Sequence, residues 1–418
     1  MPVMRWPGLV RPLRQPAMAL LWGGLALSSV GDQAYAVAFT WIAVEAFGAA
    51  AGWLAAAGPL VVLLTLAFGG RLADGWAPLR AMLGADVVRA AALLGVVVVW
   101  EAGGGPSPSA LVAAVAVLGA GQAVFRPALQ SVIPALVADP STLPAANALL
   151  DATERIARLL GPALVGALVI VLPIRHMLTV DAATYLASAA ALLAIQRRAR
   201  LPAARPASPG NLLASMLHGI RVVRRHRLLG YVLAMKGPLN GTWYAVFFLI
   251  LPLMVARNGL AGPGGSGVAA YGTVISAYGC TNLLANLVVG SRPMPARPGR
   301  QIFVGNLCMG VGICTLALIE AAALPKAALL PAYAAIAAFC AVAGPMQDIP
   351  VAVLQQTELP RPDIQAAARA FLGANQLGNL LGLVIAPALL GLLPTSVVVA
   401  LCGALSIVFG AVGLRRYA

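Results

Sequence analysis

Charge is what this sequence has least of. Lys, Arg, Asp and Glu make up 10% of its 418 residues, whereas a soluble domain carries roughly a quarter, so water is excluded as its main solvent. Acids are scarcer than bases, 13 against 28. Lysine is almost missing. Neither Lys236 nor Lys326 follows the glycine-rich phosphate-binding pattern, which excludes ATP hydrolysis by this chain. Histidine is equally rare: His176, His218 and His226 fall between apolar runs, without the spacing a zinc site needs. No metal and no cofactor is expected, and with no clustered nucleophile, base or ligand set the chain does not read as an enzyme. Cys280, Cys308, Cys314, Cys340 and Cys402 sit inside apolar runs with no Cys-x-x-Cys pair, so they read as small packing residues. The polar linkers that would divide a soluble chain of this length are also absent.

What fills the chain is apolar residue, 61% of the total. Runs of about twenty such residues recur from end to end, the length that crosses a hydrocarbon core ~30 Å thick. Hydropathy predicts spans at 18–46, 49–70, 81–100, 110–137, 145–172 and 177–196. After a basic stretch a second six follow at 228–256, 267–290, 302–319, 329–354, 370–393 and 396–414. The start, with Arg5, Arg11 and Arg14 ahead of an apolar run and then Ala34-Tyr35-Ala36, has the outline of a signal peptide. The run continues through Trp41 and Ile42, so it reads as a retained first helix.

A net charge of +15 is a footprint that nucleic-acid-binding domains share. Here the arginines cluster in short segments between apolar runs, as the orientation rule for cytoplasmic loops requires, and no nucleic-acid partner is expected. With the amino terminus cytoplasmic, the inner side collects Arg5 to Arg14, Arg71, Arg80, Arg89, the arginines of 197–227, Arg292 to Arg300, Arg361, Arg369, Arg415 and Arg416. Only Arg175, Arg257 and Lys326 fall outside. Both termini are thus expected in the cytoplasm of a bacterial cell, with the chain in its inner membrane.

The expected fold is all-α, with twelve transmembrane helices in two pseudo-symmetric six-helix bundles. The bundles are 1–196 and 228–418, joined by a cytoplasmic linker at 197–227 whose interleaved leucines and arginines predict a short amphipathic helix on the membrane surface. The halves echo each other: Gly161-Pro162-Ala163-Leu164-Val165-Gly166 in the fifth span is answered by Ala386-Pro387-Ala388-Leu389-Leu390-Gly391 in the eleventh. Parallel six-helix repeats are one known transporter architecture.

Several motifs carry a resemblance over nearly the whole length. They are Gly31-Asp32-Gln33-Ala34-Tyr35, Gly70-Arg71-Leu72-Ala73-Asp74, Phe125-Arg126-Pro127-Ala128, Pro134-Ala135-Leu136-Val137 and Ala146-Asn147-Ala148-Leu149. In their order and spacing the chain resembles the major facilitator superfamily, within it the exporter branch of macrolide-efflux and enterobactin-exporter proteins. The resemblance implies a gating loop after the second span, with Asp74 and Arg80 as its charges; the basic residues usual between them are replaced here by Gly75, Ala77, Pro78 and Leu79. The matching loop from Gly290 to Arg300 has no acid. Gly161 and Pro162 resemble the antiporter motif of the family's fifth helix, which implies export.

An ionised side chain at mid-bilayer costs at least ~2.5–3.5 kcal/mol, which singles out four residues. Asp32 in the first span and Arg126 in the fourth lie on helices that line the central cavity of the superfamily; so do Lys236 in the seventh and Asp348 in the tenth. One reading gives Asp32 a proton to exchange, its affinity tuned by Arg126; the other makes both pairs structural ion pairs, and both readings stay open. Gln33, Tyr35, Gln122, Gln130, Asn240, Trp243, Tyr244 and Gln347 are candidates for the wall of a substrate cavity, or for packing glue. Asp151, Glu154, Arg155 and Arg158 fall on one face of the fifth helix and read as mutually neutralising, with Asp151 and Arg155 also candidates for conformational gating. Asp181, at the start of the sixth span near the outer surface, reads as a local cap or a local pair. The function expected is secondary export of a small amphipathic molecule, drug-like or siderophore-like, by proton antiport with alternating access. Sodium is left open as the coupling ion, lipids are the surrounding partner and a monomer is expected. Import, uniport and a non-transporting receptor are the alternatives.

Overall fold

The computed structural model describes residues 11–417 except 69–76, 138–141, 170, 199–211, 262–265, 293–294, 323 and 361–362. It is all helix. In the first half the spanning helices are Pro16–Phe47, Ala51–Ala55 continued by Ala57–Phe68, Pro78–Gly103, Pro108–Leu136, Leu143–Leu168 and His176–Arg198. In the second half they are Arg227–Ala245 running on to Arg257, Gly267–Ser291, Pro298–Ala321, Lys326–Ala341 with Ala343–Glu358, Ile364–Leu392 and Thr395–Tyr417. Among the described residues, ten stretches are long and apolar enough to cross a membrane. The first of them, Pro16–Thr65, holds two spans broken at Gly48–Ala50. The fifth helix falls outside the ten because Asp151, Glu154, Arg155 and Arg158 interrupt its apolar face, which brings the count to twelve. The predicted spans match these helices end for end within a few residues, since in lipid every backbone group must bond internally and hydropathy marks where that demand begins.

Helix boundaries follow local chemistry. Pro78, Pro108 and Pro298 stand in the first turns of their helices, where the missing N–H is not needed. Ser266 caps the eighth span through its hydroxyl, which accepts from the Ala269 amide at 3.2 Å. The third helix stops at Gly104, whose φ of 69° a side chain would resist. Within helices, Pro238 in the seventh span precedes a π-helical turn at Val246–Ile250, and Pro331 and Pro350 flank the break at Val342 in the tenth. Such interruptions are tolerated where neighbouring helices take up the freed backbone groups.

The chain forms two compact units. The first comprises Met1–Phe39, Leu64–Val165 and Val171–Asn211. In it the third helix packs along both the fourth and the sixth, around a core that includes Met18, Leu21, Met82, Phe125, Ile133 and Leu192.

The second unit comprises Thr40–Leu63, Gly166–Ile170 and Leu212–Ala418. Its principal contacts are the ninth helix with the twelfth, the seventh with the eleventh and the eighth with the tenth. The seventh and eleventh cross with almost nothing between their backbones: a Cβ on Gly378 would collide with the Gly237 carbonyl, and one on Gly382 with the Gly241 carbonyl. Both helices thus present a Gly-x-x-x-Gly face, the pattern that lets helices approach closely in lipid. Gly52, from the same unit, lies against Pro387 and Leu383, and the Trp53 indole donates to the Val384 carbonyl at 3.1 Å.

The linker helix expected from its interleaved leucines and arginines forms at Leu212–Arg225. It packs on the base of the eleventh span, with Gly219 against the Ala366 carbonyl and Met216 against Gly373. His218 and Asp363 meet at 2.8 Å and Arg369 donates to Ser215 at 2.6 Å. Gly219 and Gly373 allow the close approach, while Leu213 and Leu217 of the apolar stripe stay exposed.

The glycine crossing generates a stability prediction. Gly378→Leu should lower the unfolding temperature of the purified protein, overpacking typically costing about 1–3 kcal/mol, whereas Gly391→Leu, where an added Cβ meets nothing, should leave it unchanged. Tryptophan-fluorescence melts in detergent measure both, and equal melting would contradict the crossing.

Candidate functional site

The first unit brings polar residues together inside apolar helices. Two glycines fix the position of Asp32: Gly31 leaves no room for a Cβ against Thr184 and Asp181 of the sixth helix, and Gly161 of the fifth packs on Gln33 and Ala34. The first span is thereby pressed between the fifth and sixth at the level of Asp32. The Tyr185 hydroxyl hydrogen-bonds Asp32 Oδ1. Arg126 does not bond Asp32; its Nη2 donates to Glu154 Oε1 at 3.0 Å, with the two side chains 60% and 38% exposed. Glu154, expected to be neutralised along its own helix, also reaches across to the fourth; the side chains of Asp151, Arg155 and Arg158 lie outside the described residues. Trp22 adds a bond to Thr153 at 2.9 Å between the first and fifth helices.

Three buried charges here differ from the sequence reading. Arg89, counted there among the inner-side arginines, is 2% exposed, and Asp86 and Asp181 are fully buried. Arg89 Nη1 reaches Asp86 Oδ1 at 3.4 Å. Its guanidinium lies 5.0 Å from the centre of the Phe125 ring and 5.2 Å from that of Tyr185, within the range of cation–π attraction. A Cβ on Gly121 would strike the Arg89 side chain, so that glycine makes the cation's room. Asp181 pairs locally, Thr184 donating to its Oδ1 at 3.2 Å, and it does so fully buried rather than near the surface. The available signal was Asp86-x-x-Arg89, an acid and a base one helical turn apart inside an apolar run.

The second unit holds a different set. Lys236 Nζ donates to Asp348 Oδ1 at 2.8 Å, the side chains being 22% and 65% exposed; a carboxylate that open faces water rather than lipid. One turn along from Lys236, Asn240 Nδ2 donates to Asn379 Oδ1 at 2.6 Å, and Asn379 Nδ2 to Gln376 Oε1 at 3.1 Å. Next come aromatics: Trp243 donates to the Tyr278 hydroxyl at 3.1 Å, and Tyr244 stacks on Phe248 with ring centres 4.6 Å apart. Gln347 is half-buried beside Asp348. Tyr278, Gln376 and Asn379 had not been singled out.

The remaining candidates divide. Tyr35 lies 5.5 Å from Phe39, ring to ring, and its buried hydroxyl has no partner among the described residues. Gln122 is half-buried and Arg80 exposed. Asp74 and the side chains of Gln130 and Pro162 lie outside the described residues. Among the described residues no group of three or more His, Cys, Asp or Glu side chains is placed to hold a metal ion.

Twelve apolar helices in two sets of six, with ionisable side chains held inside them, define a multi-pass membrane transporter. The chain belongs to the Major Facilitator Superfamily, whose family model matches residues 21–361, and it is a transporter of that type, not an enzyme. Among curated proteins no sequence matches it. Among solved structures, its fold is similar to that of a bacterial homologue of the iron transporter ferroportin in an inward-facing state, at a TM-score of 0.73 and 14% identity, over 96% of this chain and 98% of that one. The nucleoside transporter NupG is similar at 0.72 and 13%, over 96% and 100%. The POT family transporter PepTSo is similar at 0.72 and 12%, over 96% and 98%.

The two ion pairs should behave differently when one partner is removed. Arg89→Leu is expected to cost about 3–5 kcal/mol, the usual loss when a buried charge pair is broken, and more as pH rises and the carboxyls ionise. Lys236→Leu, beside an open partner, should cost under about 1 kcal/mol. Denaturant titration of the protein in mixed micelles measures both, and equal losses would contradict the assigned burial.

Proposed function

We propose that the chain exports a small amphipathic molecule from the bacterial cytoplasm in exchange for protons. It does so as a monomer in the inner membrane, with both termini cytoplasmic. The observation that carries this is the seat of Asp32. An acid within a spanning helix is held by a tyrosine hydroxyl, and Gly161, of the element that resembles the family's antiporter motif, packs on the residues next to it. Protonation at Asp32 and movement of the fifth helix are thereby mechanically joined. Arginine in the inner loops supports the orientation.

The second unit supports the cargo class. Trp243, Tyr244, Phe248 and Tyr278 offer ring faces, Asn240, Gln376 and Asn379 offer amide donors and acceptors, and Lys236 with Asp348 offers both charges. A molecule with a planar apolar part and polar edges suits that surface. The cargoes named for the structural neighbours, peptides, nucleosides and iron, differ from one another, so the fold itself selects none.

The test uses inside-out vesicles carrying the full chain, a panel of amphipathic fluorescent dyes and an internal pH indicator. Dye uptake should follow an imposed proton gradient and be accompanied by proton loss from the vesicle, and Asp32→Asn should reduce both to the level of empty vesicles. Uptake driven by a sodium gradient instead would move the coupling to that ion. Dye movement in the opposite sense, or tight dye binding without flux, would replace export by import or sensing.

A further inference from the structure

Among the described buried side chains of the first unit the carboxyls outnumber the cations. Asp86 and Asp181 are fully buried and Asp32 is half-buried. Arg89, itself 2% exposed, is the cation whose field reaches all three. Arg126 also acts on Asp32, but it is paired with Glu154 in the open, and that pair is neutral as a whole. The other groups facing the site are uncharged hydroxyls: Thr184 at Asp181, Ser188 at Asp86, Tyr185 at Asp32 and the unpartnered Tyr35. Three ionised carboxylates around one guanidinium would leave two buried negative charges uncompensated, which a low-dielectric interior does not hold.

Hydrogen bonding from the cation's side agrees with this count. A guanidinium has five N–H donors, yet Arg89 Nε and Nη2 are buried with no partner among the described residues, and so are Asp86 Oδ2 and Asp181 Oδ2. Spare donors and spare acceptors are thus buried in the same unit without meeting. A carboxylic acid that carries its own proton has no need of a second donor, whereas a carboxylate in the same place would draw the guanidinium to it. A proton bound to a carboxyl supplies the missing compensation within the site itself.

We propose that Asp32, Asp86 and Asp181 form one proton-holding site around Arg89, distinct from the Arg126–Glu154 pair, with Asp32 as its exit to water. In the loaded site at least one carboxyl is neutral and Arg89 bonds Asp86 alone. On discharge a carboxyl O–H bond breaks and the proton leaves on water at the Asp32 edge. The new carboxylate takes the free Nε–H and Nη2–H donors of Arg89. Because Asp86 and Arg89 sit on the third helix, Asp32 on the first and Asp181 on the sixth, that swing changes which helices are tied together. The inference deepens, and rests on, the proton-exchange reading, since it assigns the coupling site to three acids and one positioning arginine.

Infrared difference spectroscopy on the full-length protein in lipid vesicles tests it without a substrate, because the C=O stretch of a protonated carboxyl is separate from carboxylate bands. Wild type should show this band at neutral pH and lose it on alkalinisation. Asp181→Asn or Asp86→Asn should remove part of it, and Arg89→Leu should hold it to higher pH. Gly121→Ala, which displaces the arginine, should act in the same direction if Arg89→Leu does not fold. No band in wild type, or a band unchanged in both Asn variants, would overturn the site. If the band behaves as described while dye export ignores the proton gradient, the site stands and the antiport reading fails. Proton-driven export without the band would leave antiport standing and remove the site.

Discussion

The structure of the first unit depends on one electrostatic constraint: a buried guanidinium with too many buried acids around it. Arg89 is kept in the interior by two ring faces and by the space that Gly121 leaves for it. Gly31 and Gly161 bring Asp32 against the sixth and fifth helices, so that the acid of the first span shares the cation's field with acids of the third and sixth. A fully compensated core would have one arrangement; an undercompensated one has as many as it has protonation states. That multiplicity is what a transporter needs from its interior.

The second unit is built on the opposite principle. Its lysine–aspartate pair, Lys236 with Asp348, balances itself and stands partly open. Its rigidity comes from backbone contact between the Gly-x-x-x-Gly faces of the seventh and eleventh helices and from an amide ladder one turn away. The aromatic residues on the seventh and eighth helices then sit on a frame with little freedom to shift, as suits a surface that recognises a molecule by shape and edge polarity. Among the described residues, acids gather around one buried cation in the first unit, and a balanced, partly open pair stands in the second.

The helices were legible because lipid forbids unpaired backbone, and a run of apolar residues has almost no other way to be satisfied there. Even the fifth helix, too charged to pass as a span on composition, was marked by its neighbours and its length. Asp32, Lys236 and Asp348 stood out as lone charges in apolar runs. Arg89 did not, because it was counted with the arginines that set orientation, although it is well inside the helix Pro78–Gly103. Asp181, near the start of the sixth helix, read as a local cap or pair. Whether such a residue turns inward is decided by glycines on other helices, Gly121 and Gly31, tens of residues away or more. The pairing of Arg126 with Glu154 rather than Asp32, and the docking of the linker helix through Gly219, were hidden equally: both depend on rotation about a helix axis that hydropathy does not fix.

The most direct measurement of the central constraint is a pair of high-resolution structures of the full chain, one at mildly acid and one at mildly alkaline pH. A proton-holding site predicts that Arg89 bonds Asp86 alone in the first, and turns its Nε and Nη2 donors onto Asp181 or Asp32 in the second. An Arg89 with the same partners at both pH values would contradict the account.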